Sequence, residues 1–266
     1  RKDKEPKIDE KYNHLILLAK NNDGYKNLAK LVSLGFTEGF YYKPRIDKEI
    51  LEKYHDGLIC LSACLAGEVS QAILNNNIEE AKKVALWFKN LFGEDYYLEV
   101  QNNGIKEQVL VNQKLVELSR ELEIPLVATN DAHYLKREDA YNHEVLLCIQ
   151  TGKRMNDEDR MRFDTEELYV KSPEEMIDYF KNIPDAVENT VKIAEKCNVE
   201  FEFGHTILPN YDVPEQYATH YDYLEKLTVD GLTKRYGEEI TNEIKERAEY
   251  ELSIIRKMGY VDYFLI

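Results

Sequence analysis

Pro125-Leu-Val-Ala-Thr-Asn-Asp-Ala-His-Tyr134 is an apolar run that turns polar at Asn130, and it sets how the rest of the chain is read. A run of this length, bounded by a proline before it and Asn-Asp after it, predicts a buried strand opening into a loop. The helical pattern Val109–Leu122 comes before it, and another strand-like run, Tyr96-Tyr-Leu-Glu-Val100, comes before that. Strand, helix, strand at these lengths predicts a βα unit whose two strands lie parallel.

Further out, the same rhythm continues. Leu58-Ile-Cys-Leu-Ser62 is followed by helical patterns at Val69–Leu74 and Ile78–Leu91, and His14-Leu-Ile-Leu-Leu-Ala19 by one at Tyr25–Leu34. Downstream, Ser172-Pro-Glu-Glu175 combines an N-cap, a proline at the first helical position and a capping-box glutamate, and Ile183-Pro-Asp185 opens a helix to Lys196. The fold class expected is α/β, with a parallel barrel favoured over an open sheet by the regular succession and the length of 266 residues. After Cys197 the rhythm changes: Val199–Gly204 reads as a strand, Leu208–Pro214 as an extended linker, and two helices come next at Tyr221–Tyr236 and Glu238–Met258. The expected division is therefore an α/β domain over residues 1–200 and a small, mainly helical segment over 201–266. The charged stretch Arg1–Lys11 reads as a linker, and the apolar run Tyr263–Ile266 reads as an interrupted one, so a piece of a longer protein is expected.

Composition narrows the function. Hydrophobic residues at 43% and charged residues at 32% suit a soluble globular chain, and no apolar run reaches bilayer length. A cytoplasmic location is expected. A formal net charge of −15 repels phosphate backbones, so no main nucleic-acid grip is expected here. Four cysteines without a CxxC pair read as reduced thiols.

In a parallel barrel, functional side chains sit where strands pass into the following loops. Asp131 and His133, two apart on extended backbone, point the same way and can face one metal; by spacing alone, Asp131 as a turn cap and His133 in a polar niche is the stronger reading. Cys64 follows the strand Leu58–Ser62 and is a candidate soft ligand, against the commoner role of a small buried hydrophobe. Cys60 is core. His14 starts a strand and could serve only if that strand runs antiparallel at the edge. His55 reads as a solvated turn residue, His143 as a surface or packing residue, and His205 and His220 as histidines without acidic or thiol company. The segment Thr151–Arg160 reads as a solvated loop of mixed charge. No P-loop, GxGxxG, GxSxG or HExxH is present. Phe40-Tyr-Tyr-Lys-Pro-Arg45 could stack bases, but in so acidic a chain it reads as a contact between domains.

Several segments together resemble one family. HLILLAKNN from His14, GYKNL from Gly24, LVSLGFTEGFYYKPR from Leu31, LSACLAGE from Leu61, ATNDAHYL from Ala128, LLCIQTGK from Leu146 and MGYVDYFLI from Met258 are similar, in order, to the alpha subunit of bacterial DNA polymerase III. The resemblance covers its PHP (polymerase and histidinol phosphatase) domain and the start of the polymerase region. It implies an incomplete (β/α)7-type barrel followed by a small helical segment, with His14, Cys64, Asp131 and His133 on positions matching ligand-bearing motifs. It also implies that the family's His-x-His motif, a further Asp and His, and a Gly-x-Glu strand lie upstream of Arg1, and that the paired catalytic aspartates lie beyond Ile266. Asn103 stands where relatives often carry histidine.

In function, the resemblance implies a part of a replicative polymerase whose full-length form performs DNA-templated DNA synthesis. Its PHP site would hold a divalent metal (Zn, Mn or Mg) in a structural or 3′–5′ exonuclease role, bound weakly or not at all by this segment. Expected partners are the other holoenzyme subunits and primer-template DNA, through the whole protein, and no membrane. The segment alone is expected to be inactive and, with an open sheet edge, to self-associate. Neither catalytic nor nucleic-acid-binding residues are assigned. The alternative is a stand-alone PHP-type phosphoesterase.

Overall fold

The computed structural model describes residues 2–6, 12–204, 209 and 211–266. Expectations that fall on His205, on most of Arg1–Lys11, and on Leu208 and Asn210 lie outside the described residues. Two compact units are present, Arg1–Glu200 and Phe201–Ile266.

The first unit is built on a four-stranded sheet in the order β1 (Ile16–Ala19), β2 (Leu58–Leu61), β3 (Tyr96–Gln101), β4 (Leu126–Thr129). Strands β2, β3 and β4 are parallel, and β1 runs antiparallel to β2 with Ile16 opposite Leu61. Around the sheet come α1 (Asn22–Thr37), α2 (Lys48–Lys53), α3 (Glu68–Leu74), α4 (Ile78–Phe92), α5 (Lys106–Leu122), α6 (Ala140–Thr151), α7 (Pro173–Tyr179) and α8 (Pro184–Lys196). What the described residues establish is a mixed α/β unit.

Alternation along the strands divides the core. Leu58, Cys60, Tyr96, Leu98, Val100 and Ala128 belong to the larger cluster, with Val84 and Phe88 of α4 and Val111 and Leu115 of α5. Ile59, Leu61, Tyr97 and Val127 face the other way and meet Ile193 of α8. Both faces of β2 and β3 are buried, which is why β2 reads as an unbroken apolar run and β3 as one interrupted only by Glu99 before it ends at Gln101. Along β3 the second face ends in Glu99 and Gln101, both buried polar residues.

The second unit has a small core of its own. Helices α9 (His220–Tyr236), α10 (Asn242–Lys257) and α11 (Val261–Leu265) bury Leu224, Leu252 and Leu265, with Tyr211, Val213, Tyr223 and Ile255 packed against them. Among the described residues, no helix is long and apolar enough to cross a membrane.

Two expectations need correction. Val199–Gly204 is not a strand: the described backbone there is irregular, and Phe203 is 90% exposed. Its alternation of Phe and Glu satisfies a strand pattern, but among the described residues no strand pairs with it. The helix expected from Glu238 begins instead at Asn242, where Thr241 caps it by accepting from Ile244 N. Helices α2 and α11 have no counterpart in the sequence reading, being too brief to show periodicity.

Candidate metal centre

Topology brings the sequence-selected residues to one edge of the sheet. The exits of parallel β2, β3 and β4 share that edge. Because β1 is antiparallel, its start lies there too, so the condition set for His14 is met. His14 is held by its amide, which donates to the Ala66 carbonyl at 2.9 Å, and it bridges Gly67.

The loop after β2 is tightly folded. Ala63 has φ +65°, a left-handed conformation that costs a non-glycine residue about 1 kcal/mol or more, and Asp131, at the exit of β4, has φ +51°. Gly67 turns the loop back with its amide on the Cys64 carbonyl (2.9 Å), and a Cβ there would stand 2.1 Å from the Ser62 carbonyl oxygen. Only glycine fits.

The candidates meet as two pairs. Cys64 Sγ lies 3.4 Å from His14 Nδ1. Asp131 Oδ1 lies 3.5 Å from His133 Nε2, at the outer limit of a weak contact. Burial pushes the Cys64 thiol up, a backbone hydrogen bond with Ala66 opposes this, and the charges of Asp131 and Glu99 add to the rise, so the thiol is kept in its neutral form. Thiol, imidazole and carboxylate are the donor types that divalent cations of the zinc kind take. Among the described residues, however, no group of three such side chains converges on one point. The donor chemistry therefore fits a cation, whereas a completed ligand cage is not displayed, and no chemical step is derived through a metal.

Glu99 is the residue that sequence reading passed over. It is 6% exposed; its Oε1 accepts from Thr129 Oγ1 (2.5 Å) and Gln101 Nε2 (3.0 Å), and its Oε2 has no hydrogen-bond partner among the described residues. Burial raises its pKa, the hydrogen bonds from Thr129 and Gln101 oppose that, and the charge of Asp131 adds to the rise. The signal was available: a lone carboxylate inside an otherwise apolar run, two positions from Gln101 on the same strand face. Asn103, at the exit of β3, is also buried; its backbone amide donates to Gln108 Oε1 at 2.8 Å, and its Nδ2 has no hydrogen-bond partner among the described residues.

The other histidines divide clearly. His143 packs edge-on against His133 (ring centroids 5.4 Å apart) and stacks on Phe163; burial, then the neighbouring His133, lowers its pKa. His55 is not merely solvated: it packs edge-on to Phe92, and its Nδ1 is 2.8 Å from the Glu52 carbonyl oxygen. His220 does have acidic company. Its Nδ1 pairs with Asp262, 42 residues further along the chain, a distance over which linear spacing carries no information. The Thr151–Arg160 loop carries the pair Lys153–Asp159 at 2.6 Å, as a mixed-charge loop should.

Residues 3–103, which lie within the first unit, match the family model described as the PHP domain. Residues 222–266 match the model described as the bacterial DNA polymerase III alpha NTPase domain. The chain is 54% identical over 254 residues to the DNA polymerase III subunit alpha of Borreliella burgdorferi, covering 95% of this chain and 22% of that protein. It is 45% identical over 260 residues to the same subunit of Treponema pallidum (97% and 22%), and 43% identical over 278 residues to that of Aquifex aeolicus (100% and 24%). Over nearly its whole length the chain is similar to the alpha subunit of bacterial DNA polymerase III. It spans about a fifth of the length of the curated relatives it matches.

Proposed function

We propose that this chain is part of the catalytic subunit of a bacterial replicative DNA polymerase, in which the whole protein carries out DNA-templated DNA synthesis. One observation carries the reading: a PHP match at the front and a DNA polymerase III alpha match at the back occur in one chain that is 54% identical over 254 residues to a DNA polymerase III subunit alpha. The first unit, to about residue 200, is then the PHP domain, and its four strands are part of a (β/α)7-type barrel. The segment from 201 is the linker and start of the polymerase core. Primer-template DNA and the other holoenzyme subunits are the partners, met through the whole protein in the cytoplasm. The net charge of −15 supports a DNA grip located elsewhere.

At the strand exits, His14, Cys64, Asp131 and His133 are the proposed ligands of a divalent cation. When bound, such a cation supplies a site for generating hydroxide and steadying phosphoryl charge. The protein's own part is orientation: Asp131 stands beside His133 Nε2, and Cys64 beside His14 Nδ1. Since the described residues present pairs only, this segment should bind Zn²⁺ or Mn²⁺ weakly and turn nothing over. A stand-alone phosphoesterase is the second reading, and the polymerase match at 222–266 weighs against it.

Purified chain should give no primer extension and no hydrolysis of p-nitrophenyl phosphate with Zn²⁺ or Mn²⁺. Its weak Zn²⁺ affinity should fall about tenfold or more in Asp131→Ala. Brisk metal-dependent hydrolysis abolished by Asp131→Ala would favour the phosphoesterase. Zn²⁺ binding unaffected by Asp131→Ala and His133→Ala would remove these residues as ligands.

A further inference from the structure

The segment 165–171 runs beside the exit of β4. Tyr134 and Tyr169 form a parallel bridge, the His133 amide donates to the Leu168 carbonyl at 2.7 Å, and the Val170 amide donates to the Tyr134 carbonyl at 3.1 Å. At the end of this segment Lys171 is buried, only 7% exposed. A buried ammonium is costly unless every donor is used, and burial duly holds its pKa below the ordinary lysine value, with Glu167 and Glu175 opposing the drop. Its donors all find acceptors: Asn103 Oδ1 at 3.3 Å, Asn130 Oδ1 at 3.3 Å and the Glu167 carbonyl. The rings of Tyr169 (4.7 Å to the centroid) and Tyr179 (5.5 Å) close over it.

These acceptors come from three separate places: the exit of β3, the exit of β4, and the bracing segment. Asn130 is held at both ends of its amide, since its Nδ2 donates to the Tyr169 carbonyl at 2.8 Å. The next residue is Asp131, in the left-handed region at φ +51°. Strain of that kind persists only where the surroundings over-determine it. A methionine would fill the same space without the desolvation cost, so packing does not explain a lysine here.

We infer that Lys171 is a positioning residue: its ammonium ties Asn103 to Asn130, and so fixes the turn from which Asp131 and His133 project. The metal reading enters only in what the pair is for; the tie itself stands without it.

The test uses the 266-residue chain, metal-free, with the His133 and His55 ring resonances followed by NMR in Lys171→Met and in Asn130→Ala. In each variant the His133 resonance should shift and amide exchange at 131–134 should quicken about tenfold or more, while His55, packed on Phe92, stays in place. The double variant should do little more than either single one, because both remove one connection. Asn130→Ala keeps the question open to experiment if Lys171→Met fails to fold. An unmoved His133, additive effects, or a shift of both histidines would overturn the inference, the last by showing a general loosening. A separate Zn²⁺ titration should show about tenfold weaker binding in Lys171→Met. No Zn²⁺ binding in the parent chain would count against the metal site alone, with the NMR arm still deciding the role of Lys171.

Discussion

Asp95 and Glu99 lie four residues apart and show how neighbours decide the state of a buried carboxylate. Glu99, at the exit half of β3, has only neutral hydrogen-bond donors, and burial wins: its pKa rises. Asp95, just before β3, is also pushed upward by burial, but hydrogen bonds from Lys196 (2.8 Å) and Lys20 (2.5 Å) outweigh that and hold it below the usual carboxylate range. Lys20 follows β1 and Lys196 ends α8, so Asp95 fastens three elements at the sheet edge opposite the candidate site. With side-chain exposures of 13% for Asp95 and 34% and 28% for its partners, the cluster lies between a surface pair and a buried one. Asp95→Asn should therefore cost about 1–2 kcal/mol at neutral pH. A depressed folded pKa gives stability that is complete above the unfolded value of about 4 and is lost as pH falls through the lower folded value. Thermal unfolding should show the gap between parent and variant closing as the pH is taken from 7 down to about 3. A gap independent of pH would mean that the lysines are not responsible.

At the scale of elements, α7 is the clearest case of local sequence deciding local structure. Ser172 Oγ accepts from the Glu175 amide at 3.2 Å and Glu175 Oε2 accepts from the Ser172 amide at 2.8 Å, the reciprocal box that Ser-Pro-Glu-Glu announces. Ser172→Ala should cost about 1 kcal/mol, lowering the melting temperature by about 2–4 °C in a domain of this size, with the loss confined to the α7 region in hydrogen exchange. No change in melting would show that Tyr169, whose hydroxyl donates to Glu175 Oε1 at 2.6 Å, holds the helix start unaided. Strands β2, β3 and β4 and the long helices were equally legible, because apolar runs and 3.6-residue periods are local properties. Pairing was not: nothing in Val199–Gly204 reveals the lack of a neighbour, and nothing in His14–Ala19 specifies that β1 runs antiparallel. The site was legible in the same uneven way. Asp131 and His133 share a strand exit and Cys64 follows β2, but spacing favoured a turn cap, a polar niche and a small buried hydrophobe, and it was the resemblance that pointed to ligands. Glu99 left a local sign, a lone carboxylate in an apolar run, whereas Asn103 and Lys171 matter through tertiary contacts that span 41 to 68 positions, beyond the reach of any local pattern.

For the molecule as a whole, two opposing properties govern self-association. Among the described residues β1 is an outer strand of its sheet, and Ile16 upon it is 39% exposed, which offers backbone and apolar surface to a second copy. Part of that edge is already used, since the Asn198 amide donates to the Lys20 carbonyl at 2.9 Å. Against pairing stands a net charge of −15, carried by both copies and so felt as mutual repulsion. The repulsion is long-ranged and screened by salt, with a Debye length of about 20 Å at ~0.02 M and about 6 Å at ~0.3 M, whereas strand pairing and apolar contact act at touching distance. Raising the salt should therefore favour association. Light scattering at tens of micromolar should show mainly monomer at low ionic strength and a growing dimer fraction at high ionic strength. Ile16→Lys should oppose the dimer, since a charged residue on an outer strand is how natural sheets keep their edges unpaired. A chain that stays monomeric at both ionic strengths, or a dimer that dissociates as salt is added, would show that β1 is not the sticky edge and that any contact between copies is electrostatic in origin.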